Sequence, residues 1–203
     1  MLEPRPSKIV AVGRNYVAHA QELGHDVPSE PLLFLKPVSA IVDDGDDVIY
    51  PPQTENLHHE AELAVVIGRR CKNVAENDAL QFVHGFTCAN DITARDLQER
   101  DDQWTRAKGF DTFCPLGPTV VAGIDPAHAR VKMRVNGELR QDGNTADMLF
   151  PVPRLISYIS SVMTLEAGDV ILTGTPPGVS AVQRGDLMEV EVEGIGVLRN
   201  TVR

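Results

Sequence analysis

Residues 57–68, Leu57-His58-His59-Glu60-Ala61-Glu62-Leu63-Ala64-Val65-Val66-Ile67-Gly68, decide how this chain is read. The run is predicted to be one strand, because its side chains divide cleanly between two faces. Leu57, His59, Ala61, Leu63, Val65 and Ile67 fall on one face, which is mostly apolar and calls for a core. His58, Glu60, Glu62, Ala64 and Val66 fall on the other, which begins charged and ends apolar, so that it too becomes buried. Two carboxylates about 7 Å apart on such a face repel, and burying them without a cation costs several kcal/mol. Something has to compensate Glu60 and Glu62.

Working outward, Ser7 to Val12 reads as a short buried strand turned by Gly13. RNYVAHAQELG (14–24) reads as a helix stopped by Gly24. PLLFLKPVSAIV (31–42) is apolar and β-like, and DDGDD (43–47) is an exposed turn without the spacing or distal Glu of an EF-hand. NVAENDALQFV (73–83) suits a helix and GFTCANDI (85–92) a strand. Thr93 and Asp96 have capping-box spacing before the helix ARDLQER. Asn136-Gly137 predicts a type I′ hairpin, and Leu155, Ile156, Ile159, Val162 and Met163 form one helical stripe. DVILTGTPPGV (169–179) is a strand running into a Gly/Pro loop, and a hairpin closes the chain. Strands outnumber helices and do not alternate regularly with them, so the expected class is α+β and β-rich, a curled roll or sandwich. One domain over residues 1–203 is expected, with no separate N-terminal domain.

The 203 residues carry 29 acids against 19 bases, a net charge of -10 that argues against a nucleic-acid backbone as partner. Cys71, Cys88 and Cys114 are odd in number and widely spaced, which fits buried thiols in a reducing compartment. No signal-peptide h-region or membrane-length apolar run is present, so a cytoplasmic protein with no membrane partner is expected.

Hard carboxylate oxygens on one strand face suit Mg²⁺ or Mn²⁺. Glu60 and Glu62 alone also fit a solvated edge, and HHExE is not the HExxH of a zinc peptidase. Asp91 emerges from an otherwise uncharged strand, either towards a pocket or as a turn residue. His19 and Glu22 stand at i and i+3 on one helix face, either a general-base pair or an ordinary surface pair. Lys36 and Lys108 sit among apolar residues, where they would neutralise an anion or snorkel to solvent. Arg14 and Arg95 carry the same two readings. The hydroxyls and amides of Thr173-Gly174-Thr175 would hold a carboxylate or simply end a strand.

VGRNYVAHAQELG, EPLLFLKP, LHHEAELAVVIG, NDITARDLQ, WTRAKGFDTFCPLGP, VNGELRQ and LEAGDVILTGTPPGV run in one order along nearly the whole chain. Together they resemble the fumarylacetoacetate hydrolase family, in its short acylpyruvase and oxaloacetate decarboxylase-like branch. The resemblance implies a mixed β-roll, a homodimer, and Glu60, Glu62 and Asp91 as ligands of Mg²⁺ or Mn²⁺. It implies His19 and Glu22 as a catalytic dyad on a lid helix, and Lys108 as the residue polarising substrate. Arg14, Lys36, Arg95, Gln98 and Thr175 are implied to line the pocket. The cation then answers the question of the paired carboxylates.

The expected substrate is a small 2-oxo acid. C–C cleavage of an acylpyruvate-type β-diketo acid would pass through a metal-bound pyruvate enolate, with water activated by His19 and Glu22. Oxaloacetate decarboxylation, or isomerisation or decarboxylation of 2-hydroxyhepta-2,4-diene-1,7-dioate, would reach a related enolate. A non-catalytic module binding a metal or carboxylate is the alternative of a different class.

Overall fold

The computed structural model describes residues 5–22, 24 and 26–203. The first four residues of the expected domain, and Leu23 within the expected first helix, lie outside them. The elements run β1 (Ile9–Gly13), α1 (Val17–Glu22), β2 (Leu32–Lys36), β3 (Ile41–Val42), β4 (Asp47–Val48), β5 (Leu57–His58) and β6 (Ala61–Ile67). They continue through β7 (Val83–Asn90), β8 (Thr93–Ala94), α2 (Arg95–Arg100), α3 (Thr105–Lys108), β9 (Cys114–Val121), β10 (Arg130–Val135) and β11 (Glu138–Asn144). The chain closes with α4 (Val152–Val162), β12 (Val170–Leu172), β13 (Leu187–Val192) and β14 (Gly196–Val202).

The strands form a seven-stranded sheet, β2-β1-β12-β6-β7-β9-β3, and a five-stranded sheet, β11-β10-β13-β14-β4, with β5 and β8 as a separate pair. Both large sheets are mixed, since β1 runs parallel to β12, β3 to β9, and β14 to β4. This is the β-rich α+β architecture expected from the strand count.

Alternation along β6 explains how the layers pack. Leu63, Val65 and Ile67 point into the larger core, shared with Val131, Met133, Val190 and Leu198 of the five-stranded sheet and with Leu155, Ile156 and Ile159 of α4. On the opposite face Ala64 joins Ala11, Ala89, Val170 and Leu172 in a smaller core. All seven residues of β6 are buried, as its two-sided pattern predicts. Glu62 lies on that same face, at the end where β6 begins.

Several local expectations change. The strand predicted from Leu57 to Ile67 is broken at His59 and Glu60, because β5 leaves the main sheet to pair with β8. The helix expected over 73–83 is a 3-10 segment, Glu76–Phe82, that leads directly into β7. The capping box does not form. The Thr93 hydroxyl donates to the Asp91 carbonyl, and Asp96 instead accepts from the Thr54 hydroxyl and the Glu55 amide. Val162 is 59% exposed because it ends α4 past the rim of the core. The hairpin at Asn136-Gly137 is as expected, with both residues at positive φ. No described helix is long and apolar enough to cross a membrane.

Candidate active site

Strand register brings the three acids together. In the antiparallel pair β6·β7, Ala61 faces Asn90 and Glu62 faces Ala89. Glu60 therefore stands opposite Asp91, whose amide donates to the Glu60 carbonyl at 2.9 Å. Residues directly opposite share a face, so Glu60, Glu62 and Asp91 all project from the side that carries Ala64 and Ala89. One oxygen from each lies within 4.8 Å of the others, and all three residues are buried.

Three cationic side chains converge on two of these acids. Lys108, at the end of α3, donates to Glu60 Oε2 at 2.9 Å and to Asp91 Oδ2 at 2.6 Å. Arg95, which opens α2, donates to Glu60 Oε1 at 2.5 Å and to Gln98 Oε1 at 2.5 Å. Lys36, which ends β2, donates to Asp91 Oδ1 at 2.5 Å. Glu62 receives only the Gly174 amide, at 2.7 Å, and among the described residues no ion pair reaches it.

This asymmetry separates the titrations. Burial would raise Glu60, but Lys108 and Arg95 outweigh it and hold Glu60 well below the usual carboxylate range. Burial, followed by the charges of Asp91 and Glu60, pushes Glu62 well above that range. Lys108 is also raised, since Asp91 and Glu60 more than offset its burial. Glu62 is thus a buried carboxyl with no cation of its own among the described residues. Three hard oxygen donors in this arrangement fit a divalent ion of the Mg²⁺ or Mn²⁺ type.

The acids floor a recess that is also lined by Arg14, His19, Phe34, Arg95, Gln98, Trp104, Lys108 and Thr175. His19, on α1, is buried, and its Nδ1 lies 3.4 Å from Glu22 Oε2. The carboxylate can only accept, so Nδ1 carries the proton and Nε2 keeps a lone pair. Burial lowers the His19 pKa despite the charges of Glu60 and Glu22, which leaves the imidazole neutral near pH 7. Glu22 is held in turn by the Gly178 amide, 3.0 and 3.1 Å from its two oxygens.

Arg14 adopts a φ of 57° and lays its guanidinium 5.9 Å from the Trp104 ring centroid. Its Nε is buried without a hydrogen-bond partner. The Thr175 hydroxyl donates to the Ala61 carbonyl at 2.8 Å.

Most of the candidate residues from the sequence thus meet around one recess. Glu22 stands behind His19 rather than in the lining. Lys36 does not line the recess either, because its ammonium is spent behind Asp91 on Oδ1 and the Ile92 carbonyl. The wall formed by Phe34 and Trp104, edge to face at 5.3 Å, was not anticipated, although Trp104 is the chain's one tryptophan. The Gly174 amide does hold a carboxylate, that of Glu62, as the Gly/Pro loop allowed, whereas the Gly178 amide on Glu22 was not anticipated.

The model of the fumarylacetoacetate (FAA) hydrolase C-terminal family matches residues 8–203. Oxaloacetate tautomerase FAHD1, a mitochondrial protein of Bos taurus, is 47% identical over 193 residues, covering 92% of this chain and 87% of its own length. The crystal structure of 5-carboxymethyl-2-hydroxymuconate delta-isomerase from Mycobacterium smegmatis superposes with a TM-score of 0.91 at 49% identity, covering 97% of this chain and 78% of that one. Fumarylpyruvate hydrolase from Pseudomonas aeruginosa, solved with Mn²⁺ and pyruvate, superposes with a TM-score of 0.92 at 37% identity, covering 97% and 89%.

Proposed function

The chain belongs to the fumarylacetoacetate hydrolase family, and on that premise we propose that it is an enzyme that moves a proton at the carbon beside the 2-oxo group of a small 2-oxo acid. One observation carries this reading. A neutral His19, oriented by Glu22, opens onto the same recess as Glu60, Glu62, Asp91 and Lys108.

Glu60, Glu62 and Asp91 would hold Mg²⁺ or Mn²⁺. When bound, the ion supplies Lewis acidity towards the 2-oxo and carboxylate oxygens of the substrate. His19 Nε2 takes the proton from the adjacent carbon, and the Glu22 carboxylate stabilises the imidazolium that results. Lys108 stabilises negative charge developing on the oxygen. Trp104 and Phe34 exclude water from one side of the recess. Because Lys36, Arg95 and Lys108 already balance the three acids, a divalent ion leaves a surplus of two positive charges. Arg14, with its unpartnered Nε, adds a third, which the Glu22 carboxylate behind His19 offsets. That balance suits a dianionic acid such as oxaloacetate.

Our first reading is therefore keto–enol interconversion of oxaloacetate, in keeping with the name of the bovine relative. The second is C–C hydrolysis of an acylpyruvate, favoured because the His19–Glu22 pair is equally suited to activating water and because the fumarylpyruvate hydrolase was solved with Mn²⁺ and pyruvate. Oxaloacetate decarboxylation would use the same groups. The proposal extends to a single catalytic domain over residues 1–203, acting as a homodimer in the cytoplasm.

The test is to follow enol-to-keto conversion of oxaloacetate, release of CO₂ from it, and cleavage of acetylpyruvate, each with Mn²⁺, Mg²⁺ or EDTA. Metal-dependent interconversion without pyruvate release supports the first reading. Metal-dependent pyruvate formation from acetylpyruvate supports the second. Silence in all three assays overturns both.

A further inference from the structure

Gln141 lies on β11, the edge strand of the five-stranded sheet, and is buried between exposed neighbours. Its amide makes four contacts. Oε1 accepts the Ala61 amide at 3.0 Å and lies 3.0 Å from His59 Nδ1. Nε2 donates to Thr175 Oγ1 at 2.7 Å and to the Pro176 carbonyl at 2.8 Å. The Ala61 amide can only donate, so the orientation of the side-chain amide is fixed. His59 must then carry its proton on Nδ1, and its Nε2 accepts from the Ser180 hydroxyl at 2.9 Å.

These contacts join two parts of the candidate site. Ala61 lies between Glu60 and Glu62. Thr175 and Pro176 begin the loop that ends at Gly178, whose amide grips Glu22. The backbone on either side of Gln141 forms the bed for that loop. A Cβ on Gly178, which has φ +99°, would stand 2.2 Å from the Arg140 carbonyl oxygen, and a Cβ on Gly143 would stand 2.4 Å from Pro176 Cβ. Both positions accept only glycine without a shift of the backbone.

From this geometry we infer that Gln141 is a positioning residue: it sets the loop carrying Gly178 against the Glu60–Glu62 strand, and through Gly178 and Glu22 it aims His19. The inference rests on the proposed acid–base role of His19. It also assigns the Thr175 hydroxyl a structural duty. Its proton is committed to the Ala61 carbonyl and it accepts from Gln141, so it has no proton to offer a substrate.

Gln141→Met keeps the length of the side chain and buries no charge. In the wild-type background we expect it to lower kcat at least tenfold, and in a His19→Ala background less than twofold, because both changes act through the same imidazole. A crystal structure of the variant should show the Gly178 amide beyond hydrogen-bond distance of Glu22. Unchanged kcat, losses that multiply fully with His19→Ala, or an intact Gly178–Glu22 contact overturns the inference. If Gln141→Met does not fold, Gln141→Asn, one methylene shorter, withdraws the amide from Thr175 and Pro176 without burying a charge and is read in the same way. If the wild-type protein turns over no 2-oxo acid, the proposed reaction fails, and the Gly178–Glu22 contact in the variant structure alone decides the positioning role.

Discussion

The ammonium of Lys108 stands 2.6 Å from Asp91 Oδ2, and it also reaches Glu60, so one cation ties carboxylates from two adjoining strand ends. Its removal leaves Glu60 with Arg95 and Asp91 with Lys36, with a shared charge missing between them. Breaking a buried pair typically costs about 3–5 kcal/mol. Lys108→Met should therefore lower the melting temperature of metal-free protein, and added Mn²⁺ should recover part of the loss. Turnover should fall about 100-fold with a preorganised donor gone. Thermal unfolding with and without Mn²⁺ reads the first effect, and an unchanged melting temperature would count against the bridge.

Glu62 is pushed up by its burial and by the nearby Asp91 and Glu60 carboxylates, so a cation entering the triad competes with its proton. Mn²⁺ affinity should rise with pH. Titration calorimetry in buffers of different ionisation enthalpy should show proton release that disappears in Glu62→Gln. Release of the same size in that variant would place the proton elsewhere.

Burial lowers the His19 pKa below its ordinary value of 6.5. A general base works unprotonated, so kcat/KM should rise with pH only through the acid range and be level by pH 7. His19→Ala should abolish that acid limb and slow turnover by about 10²–10⁴-fold. A limb of unchanged position in the variant would assign it to another group.

His59, hydrogen-bonded to Gln141 and Ser180, has its pKa pushed down to about 4, chiefly by burial. Between that value and 6.5 the unfolded chain binds the proton and the folded one does not. Folding stability should thus fall as pH drops through this window, by about 3 kcal/mol at most from this residue. Denaturant unfolding at pH 7 and pH 4.5 measures the loss, and His59→Asn should make the difference smaller.

Much of this was legible along the chain, because alternation in 57–68 speaks directly about burial. It marked β6 as two-sided and put Glu60 and Glu62 on one face. It did not reveal the break at His59 and Glu60, since pairing of β5 with β8 depends on residues more than 30 positions away. The role of Lys36 was hidden for a similar reason. A lysine among apolar residues looks the same whether it faces a pocket or stands behind Asp91. Gln141 ends VNGELRQ, one of the stretches that carry the family resemblance, yet nothing there marks its role, because only the folded edge strand reveals what its amide meets.

The most direct test of the central claim is loss of methyl protons from pyruvate in D₂O, followed by NMR, since this asks for proton transfer beside the 2-oxo group and for nothing else. We expect exchange that needs Mn²⁺ or Mg²⁺, stops with EDTA, and slows about 100-fold or more in His19→Ala. No exchange above the buffer rate in the wild-type protein, or equal exchange in His19→Ala, would contradict it.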